Sequence, residues 1–314
     1  MKKMINTERI EGRVYQHNLV EKTVQNQASQ NYGKSFISGN LEIAVDDACL
    51  NVIPVHFTYV TETTSSGNKN ATYANLKRII DEGKTVIANG ADEALKVRVD
   101  TALALNDFYT QDDRLVSTKV NEGGFVTIIG TLGPENERNT FSVDMLITSA
   151  VRTDADPEVP NSENLVTVKG AIFNFRNSLL PIDFVVKTNE GMDYFEGLDA
   201  SPANPVFTKV WGRIYCGSSK QEVKEETAFG EEAVRTYERK IRQWVITGTS
   251  KVPYDFEDPS VLTKAEVEKA AQDREVMLAD TKKRSEDYRA QKEATAAPAA
   301  TTSPVSVAAG TFNF

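Results

Sequence analysis

The chain has 314 residues, a net charge of −9, a hydrophobic content of 40% and a mean hydropathy of −0.39. No apolar run approaches the roughly 18 residues that a membrane helix needs, and no apolar segment follows the basic start as in a secretory signal. The acidity counts against coating of duplex DNA by bulk charge, and the two cysteines, Cys49 and Cys216, fit a reducing cytoplasm better than a disulfide framework.

The first half of the chain is predicted to be rich in strands, because apolar and polar residues alternate and β-branched residues are frequent. Gly123 and Gly124 are interpreted as a turn between two strands. Residues 61–70 predict a polar loop, and residues 73–80 predict a helix that ends at Gly83. The predicted strands are residues 9–24, 35–45, 51–61, 94–109, 115–120, 125–129 and 139–151.

A polar run with two prolines and several acids, residues 152–163, predicts a domain boundary. A second β-rich unit follows over residues 164–256. Within it we expect a helix at 228–239, and strands at the positions where the apolar pattern alternates. These predicted strands are residues 166–175, 181–187, 206–215 and 241–246.

The last part of the chain changes in character at Thr263. Thr263 and Glu266 form the pattern of a capping box, which predicts the start of a charged, largely solvated helix over residues 263–294. Residues 295–314 are mostly Ala, Thr, Pro, Ser and Val, with Phe312 and Phe314 at the tip, and this composition predicts a disordered tail.

The two β-rich units begin in similar ways. Each has a strand with a glycine near its start, Gly12 or Gly170, followed by two further strands. A glycine inside a strand marks a bend or bulge, and such a bend is needed where a small antiparallel barrel curves strongly. We therefore predict a mainly β protein with a few helices. It would comprise two oligonucleotide-binding (OB) type barrels in tandem, over residues 1–152 and 164–256, then the charged helix and the tail.

Signals for catalysis are scarce. The two histidines, His17 and His56, lie in predicted strands of the same unit, and no Cys or His cluster supports a metal site between them. Gly33, Lys34 and Ser35 resemble the end of a phosphate-binding loop, but the required earlier glycine is missing and a strand follows. We expect no enzyme, no metal and no cofactor.

Signals for nucleic-acid binding are stronger, because aromatic and basic residues share strand faces. The face with Lys209, Trp211, Arg213 and Tyr215 is the strongest, since alternating cations and aromatics suit base stacking better than a core. If Trp211 were buried, this interpretation would lose its best support. The further candidates are Phe173, Phe175, Arg176, Arg13, Tyr15, His17, Lys34 and Phe36.

The layout of β-rich units, low-complexity linker and aromatic tip resembles single-stranded DNA-binding proteins, and segments 36–39, 51–60 and 204–212 resemble bacteriophage-encoded proteins of this type. The resemblance implies binding and protection of single strands during replication or recombination, in the cytoplasm of a host. It also implies docking of replication or recombination proteins on Phe312 and Phe314, although the tip lacks the family's acids.

The main alternative is a virion structural or assembly protein. Acidic, β-rich adaptor and tail proteins with extended termini have a similar composition, and such a protein would form rings and ignore DNA. Exposure of Trp211 discriminates between the two interpretations.

Overall fold

β-Strands predominate in the computed structural model, which describes residues 3–29, 31–156, 162–225, 233–258 and 260–296. The strands are β1 (Asn6–His17), β2 (Val20–Thr23), β3 (Ser35–Ala44), β4 (Val52–Thr61), β5 (Lys96–Tyr109), β6 (Leu115–Ile129), β7 (Asn139–Thr153), β8 (Leu165–Phe173), β9 (Leu179–Val186), β10 (Val206–Glu225) and β11 (Ala233–Thr249). The helices are α1 (Ala71–Glu82), α2 (Val86–Asn89), α3 (Asn189–Glu196) and α4 (Lys264–Ala296), with a 3-10 turn at Glu135–Glu137. The expectation of a mainly β protein with few helices is confirmed.

Five strands of the first half pair in a closed order, which we term the first circuit. β1 pairs with β3, β3 with β4, β4 with β6, β6 with β5, and β5 again with β1. All of these pairings are antiparallel except the short parallel contact between β4 and β6. The short strand β2 adds to the outer edge of β3.

Five strands of the second half pair in the same order, which we term the second circuit. β7 pairs with β8, β8 with β9, β9 with β11, β11 with β10, and β10 again with β7. The one parallel contact, between β9 and β11, occupies the position that the β4–β6 contact has in the first circuit. The similarity between the two halves is therefore present in their strand pairing.

The second circuit begins earlier than the sequence suggested. Its first strand is β7, which starts at Asn139, and the predicted boundary at 152–163 lies between its first and second strands. The glycine pattern was matched one strand out of step, since Gly12 lies in the first strand of one circuit and Gly170 in the second strand of the other. Both strands contain a glycine that lies close to a paired strand. A short sequence pattern around such a glycine does not show whether it belongs to the first or the second strand of a circuit.

The two circuits are joined through their first strands. Asn6–Ile10 of β1 pairs antiparallel with Asn139–Val143 of β7, so that all eleven strands belong to one hydrogen-bonded sheet. A single apolar cluster extends through both halves and includes Ile10, Val99 and Ile214. Two separate barrels in tandem are therefore not confirmed.

Gly12 and Gly170 lie where two strands approach each other too closely for a side chain. A Cβ atom on Gly12 would stand 2.1 Å from the carbonyl oxygen of Ala44, and one on Gly170 would stand 2.0 Å from that of Leu146. These contacts are between paired strands of one circuit, β1 with β3 and β8 with β7. Each glycine thus has a steric reason, because no side chain fits between the two strands at its position.

Helices α1 and α3 occupy equivalent places, each between the third and fourth strands of its circuit. The predicted helix at 73–80 is confirmed as α1, which Asn70 caps by accepting a hydrogen bond from the Thr72 N–H. Gly83 ends it in the left-handed conformation, as the sequence indicated. The sequence did not reveal α3, whose eight residues are too few for a clear apolar period.

Two local predictions were wrong. Residues 233–239 of the predicted helix 228–239 belong to strand β11, which pairs along its length with β10 in a long hairpin, and residues 226–232 lie outside the described residues. Gly123 and Gly124 are not a turn, since β6 continues through them at a β-bulge opposite Asp100 and Thr101. Gly123 lies directly against the ring of Phe57, where a Cβ would stand 2.3 Å from it.

Helix α4 packs more firmly than its thin apolar stripe suggested. The capping box is confirmed, because Thr263 N–H donates to the Glu266 carboxylate and Glu266 N–H donates to the Thr263 hydroxyl. Ala270 is buried with Val261 and Leu262 in a second apolar cluster. No helix in the described part of the chain is long and apolar enough to cross a membrane. Phe312 and Phe314 lie outside the described residues.

Candidate nucleic-acid interface

The predicted face of β10 lies on the outside of the second circuit. Trp211 and Tyr215 are 41% and 43% exposed, and Lys209 and Arg213 are half-buried beside them. The alternate residues Thr208, Val210, Gly212, Ile214 and Cys216 are buried. The strand therefore separates its apolar side chains from its alternating cations and aromatics, as the two-residue period predicted.

The indole of Trp211 is held against the neighbouring strand by a glycine. Trp211 lies opposite Gly248 of β11, and a Cβ on Gly248 would stand 2.5–2.7 Å from three atoms of the indole ring. The ring therefore rests directly on the backbone of β11, and its other side faces solvent. A fixed, half-exposed indole is suited to stacking against a flat ligand.

The two cations of this face, Lys209 and Arg213, have few close partners. Arg213 donates one long hydrogen bond, 3.4 Å, to the Asn139 side chain, and neither Arg213 nor Lys209 forms an ion pair with any described residue. Asp144, opposite Lys209, is buried and accepts hydrogen bonds from the Ile5 N–H and the Tyr254 hydroxyl. Burial raises the pKa of Asp144, and these two hydrogen bonds and the charge of Lys209 partly oppose the rise.

The face continues across the junction into the first circuit as a straight line of cross-strand neighbours. Arg213 lies opposite Thr140, Thr140 opposite Arg9, Arg9 opposite Asp100, and Asp100 opposite Phe125. Residues directly opposite each other in an antiparallel pair project on the same side of the sheet. We call these five residues the cross-strand row. Four strand spacings give it a length of about 19 Å.

Phe125 ends the row with a ring that is 75% exposed. A hollow of about 800 Å³ lies over the middle of the row, with Arg9, Trp211 and Arg213 among its lining residues. Asp100 contributes an acid, but Arg9 pairs with it at 3.6 Å. The row thus ends in the aromatic ring of Phe125 on one side and in Arg213 on the other, with Arg9 between them. Trp211 lies two residues from Arg213 on the same face of β10.

The residues that the sequence did not identify are Arg9, Arg98 and Phe125. Arg98 projects on the same side from β5, where its Nε is buried without a hydrogen-bond partner among the described residues. Phe125 directly follows the glycine pair that was interpreted as a turn. The i, i+4 spacing of Arg9 and Arg13 on β1 was a usable signal for Arg9, whereas only strand pairing connects Phe125 with Arg213.

The Arg13 group is not part of the row. The Arg13 guanidinium binds Asp47 at 3.0 Å and is only 16% exposed. Asp47 also accepts from Arg138 at 2.9 Å, and the two arginines, Arg138 foremost, lower the pKa of Asp47 to about 2. Tyr15 and His17 are half-buried farther along β1, and burial lowers the pKa of His17.

Phe173 is a correction. It is completely buried and packs edge-to-face on Phe207 at 6.0 Å, because it belongs to the second apolar cluster, to which Val261 and Leu262 also contribute. Phe175 and Arg176 lie beyond the strand, so that Phe173 and Phe175 do not share a strand face. Phe175 is exposed, with the Arg176 guanidinium 5.1 Å from its ring.

Lys34 and Phe36 lie in another part of the first circuit. The Phe36 ring contacts that of Tyr59, with 4.6 Å between centroids, and Lys34 Nζ donates to the Asn31 side chain. Lys34 directly precedes β3 and Phe36 is its second residue, next to the edge strand β2 and remote in pairing order from β10. Among the described residues, no group of three or more His, Cys, Asp or Glu side chains could hold a metal ion.

Comparisons with known proteins give one family and a similar solved structure. The family model described as YorF matches residues 5–284. No curated protein matches. The solved structure is a deletion mutant of the single-stranded DNA binding protein from Thermus aquaticus, with 10% identity and a TM-score of 0.47, and the match covers 82% of this chain and 100% of that one. A similarity at this level does not establish a function for this chain.

Proposed function

We propose that this chain, which belongs to the YorF family, binds single-stranded DNA along the cross-strand row and the adjoining face of β10. The observation that supports the proposal is the pairing order that places exposed Phe125 at one end of the row and Arg213, beside exposed Trp211, at the other, with Arg9 between them. Aromatic platforms with a basic track between them are the combination that holds single strands without reading their sequence.

The energetics favour a single strand over a duplex. A base can stack on Trp211 or Phe125 only if its flat face is free, and in a duplex both faces are already covered by neighbouring bases. Each stacked base contributes roughly 1–3 kcal/mol, so two aromatic platforms supply a substantial share of binding. The net charge of −9 opposes non-specific attachment elsewhere on the molecule.

The mechanism requires no chemistry on the DNA. Arg213, Lys209 and Arg98 would contact phosphates, while the aromatic rings stack on bases. We infer that each five-strand circuit is an OB-like barrel, and that the protein binds and protects exposed single strands in DNA replication or recombination, without catalysis or a cofactor. The repeated pairing order and the helix between the third and fourth strands of each circuit support the barrel assignment.

A fluorescence anisotropy titration tests the proposal. Labelled oligo-dT and a duplex of equal length are titrated with the full chain at low and moderate salt. We expect tight binding to the single strand that weakens with salt, and much weaker binding to the duplex. Absence of single-strand binding at low salt would overturn the proposal, and formation of closed rings without DNA would then favour a virion assembly role.

A further inference from the structure

A second cavity, of about 560 Å³, lies beside the β10 face at the junction of the two circuits. Its walls come from the β3–β4 turn, from the segment around the 3-10 turn and from β10 and β11. The side chains of Leu50, Tyr215 and Ile241 make it largely apolar. Its volume lies in the usual range of small-ligand sites, which occur preferentially between structural units.

The wall formed by the β3–β4 turn is fixed before any ligand arrives. The Asp46 carboxylate accepts hydrogen bonds from the backbone N–H groups of Leu50 and Asn51, at 3.0 and 2.7 Å. Cys49 adopts the left-handed conformation with φ of 56°. Leu50, 74% exposed, is thereby held at the mouth of the cavity on a tight turn.

Two asparagines, Asn51 of the β3–β4 turn and Asn139 of β7, hold the walls of the cavity against β10. Asn51 donates to the Ile214 carbonyl at 3.1 Å and accepts from the Cys216 N–H at 2.8 Å, in the way that a neighbouring strand would. Asn139 also donates to the Ile214 carbonyl, at 2.8 Å. The cavity is therefore a preformed slot, and its shape does not depend on closure of a loop.

The polar groups that remain available in the slot point to a particular chemistry. Glu135 accepts one hydrogen bond with Oε2, from the Asp47 N–H, and its Oε1 has no hydrogen-bond partner among the described residues. The Asn136 side chain is likewise exposed on the rim. Carboxylates and amides are the groups that accept from the exocyclic amines of cytosine and adenine, whereas thymine would present a carbonyl oxygen to the carboxylate.

Arg213 lines both this cavity and the hollow over the cross-strand row. A phosphate on Arg213 would therefore have the Trp211 ring on one side and the Tyr215 slot on the other. We propose that the slot takes one amino-bearing base, cytosine or adenine, turned out of the strand bound on the row. This inference rests on the proposed function, and it adds a base preference at one position to otherwise sequence-independent binding.

The test compares labelled dT15 with the same oligonucleotide carrying one central dC, by anisotropy at one salt concentration. The wild-type protein is expected to bind the dC oligonucleotide about 5–10-fold more tightly. Leu50→Trp, which fills the mouth from an exposed position, and Glu135→Ala, which removes the carboxylate acceptor, are expected to bring the ratio below about twofold while affinity for dT15 is retained. Glu275→Ala, at an exposed position of α4, is the matched control and should keep the wild-type ratio.

The outcomes separate this inference from the function on which it rests. If dT15 binds tightly and the central dC does not increase affinity, the base-binding slot is overturned and single-strand binding is left intact. The same conclusion follows if the dC oligonucleotide still binds more tightly to both variants. Absence of any binding to dT15 overturns both. Deoxycytidine monophosphate is titrated alone as well. The nucleotide could raise the unfolding temperature of the wild type but not of Leu50→Trp, while dC in the oligonucleotide gives no increase in affinity. That result would assign the slot to free nucleotides and overturn the proposal of a strand-bound base.

Discussion

Single side chains on the outer face combine exposure with rigid support. Trp211 lies against the backbone at Gly248, and Phe125 projects from a bulged strand at the far end of the row. Neither ring contributes to the apolar core, so removal of either should affect ligand binding far more than folding.

We predict that Trp211→Ala and Phe125→Ala each weaken binding of oligo-dT by roughly 1–3 kcal/mol, because each removes one stacking platform. Anisotropy titration measures the dissociation constant, and thermal unfolding shows whether the fold is retained. Tyr288→Ala, which removes an exposed aromatic side chain from α4, serves as the control. Unchanged affinity in both row variants would show that the rings do not stack on bases.

A buried acid provides a second residue-scale test. Glu8 accepts hydrogen bonds from the Thr101 hydroxyl at 2.6 Å and from Trp244 Nε1 at 2.8 Å. Burial raises the pKa of Glu8 from 4.5 to about 7, against the opposing effect of these hydrogen bonds and of Arg242. The folded protein thus holds this proton more tightly than the unfolded chain does.

The contribution of this proton to the free energy of unfolding is fully present below about pH 4.5 and is lost as the pH rises through about 7. The loss is on the order of 3 kcal/mol. Glu8→Gln, which carries no titratable proton, should lack this contribution to the pH dependence. Urea unfolding of both proteins at pH 5 and pH 8 measures the change. Equal pH slopes for the variant and the wild type would contradict the shifted pKa.

At the scale of elements, α4 is attached to the tip of the β5–β6 hairpin by two ion pairs of different burial. Arg274 binds both oxygens of Asp107 at 3.0 Å, and these side chains are only 8% and 7% exposed. Arg289 binds Asp113 at 2.6 Å near the surface. Two arginines of one helix thus provide a matched comparison.

We predict that Arg274→Ala destabilises the protein by roughly 3 kcal/mol or more, because it leaves the Asp107 charge buried without its partner. Arg289→Ala should cost about 1 kcal/mol or less, since its pair is partly solvated. Denaturant unfolding measures both. The double variant Arg274→Met with Asp107→Leu should recover much of the lost stability. If Arg274→Ala lowered the free energy of unfolding no more than Arg289→Ala does, the assignment of Arg274 and Asp107 as the buried pair would be contradicted.

At the scale of the whole molecule, the cross-strand row forms where the two circuits of an acidic protein meet. The row draws Arg213 from one circuit and Arg9 with Phe125 from the other, so the proposed binding surface requires the β1–β7 pairing. On this proposal, the net charge of −9 opposes attachment of DNA elsewhere on the molecule.

The salt dependence of binding should report how few cations take part. With three or four phosphate contacts, the slope of log affinity against log salt is expected to be about −2 to −3, at about −0.7 per contact with a single strand. Arg213→Ala should reduce its magnitude by about 0.7. Anisotropy over a series of NaCl concentrations measures this. A slope near zero, or one unaffected by Arg213→Ala, would exclude the row as the phosphate-binding track.

The sequence alone determined the mainly β character, helix α1 with its Gly83 cap, the capping box of α4 and the alternation that places Trp211 outside and Ile214 inside. These features depend on local periodicity, and neighbours along the chain decide them. The circuit order, the start of the second circuit at Asn139, the burial of Phe173 and the row from Arg213 to Phe125 were decided only by tertiary structure. Each depends on which distant strand becomes a neighbour, and a two-residue period carries no information about the identity of that partner.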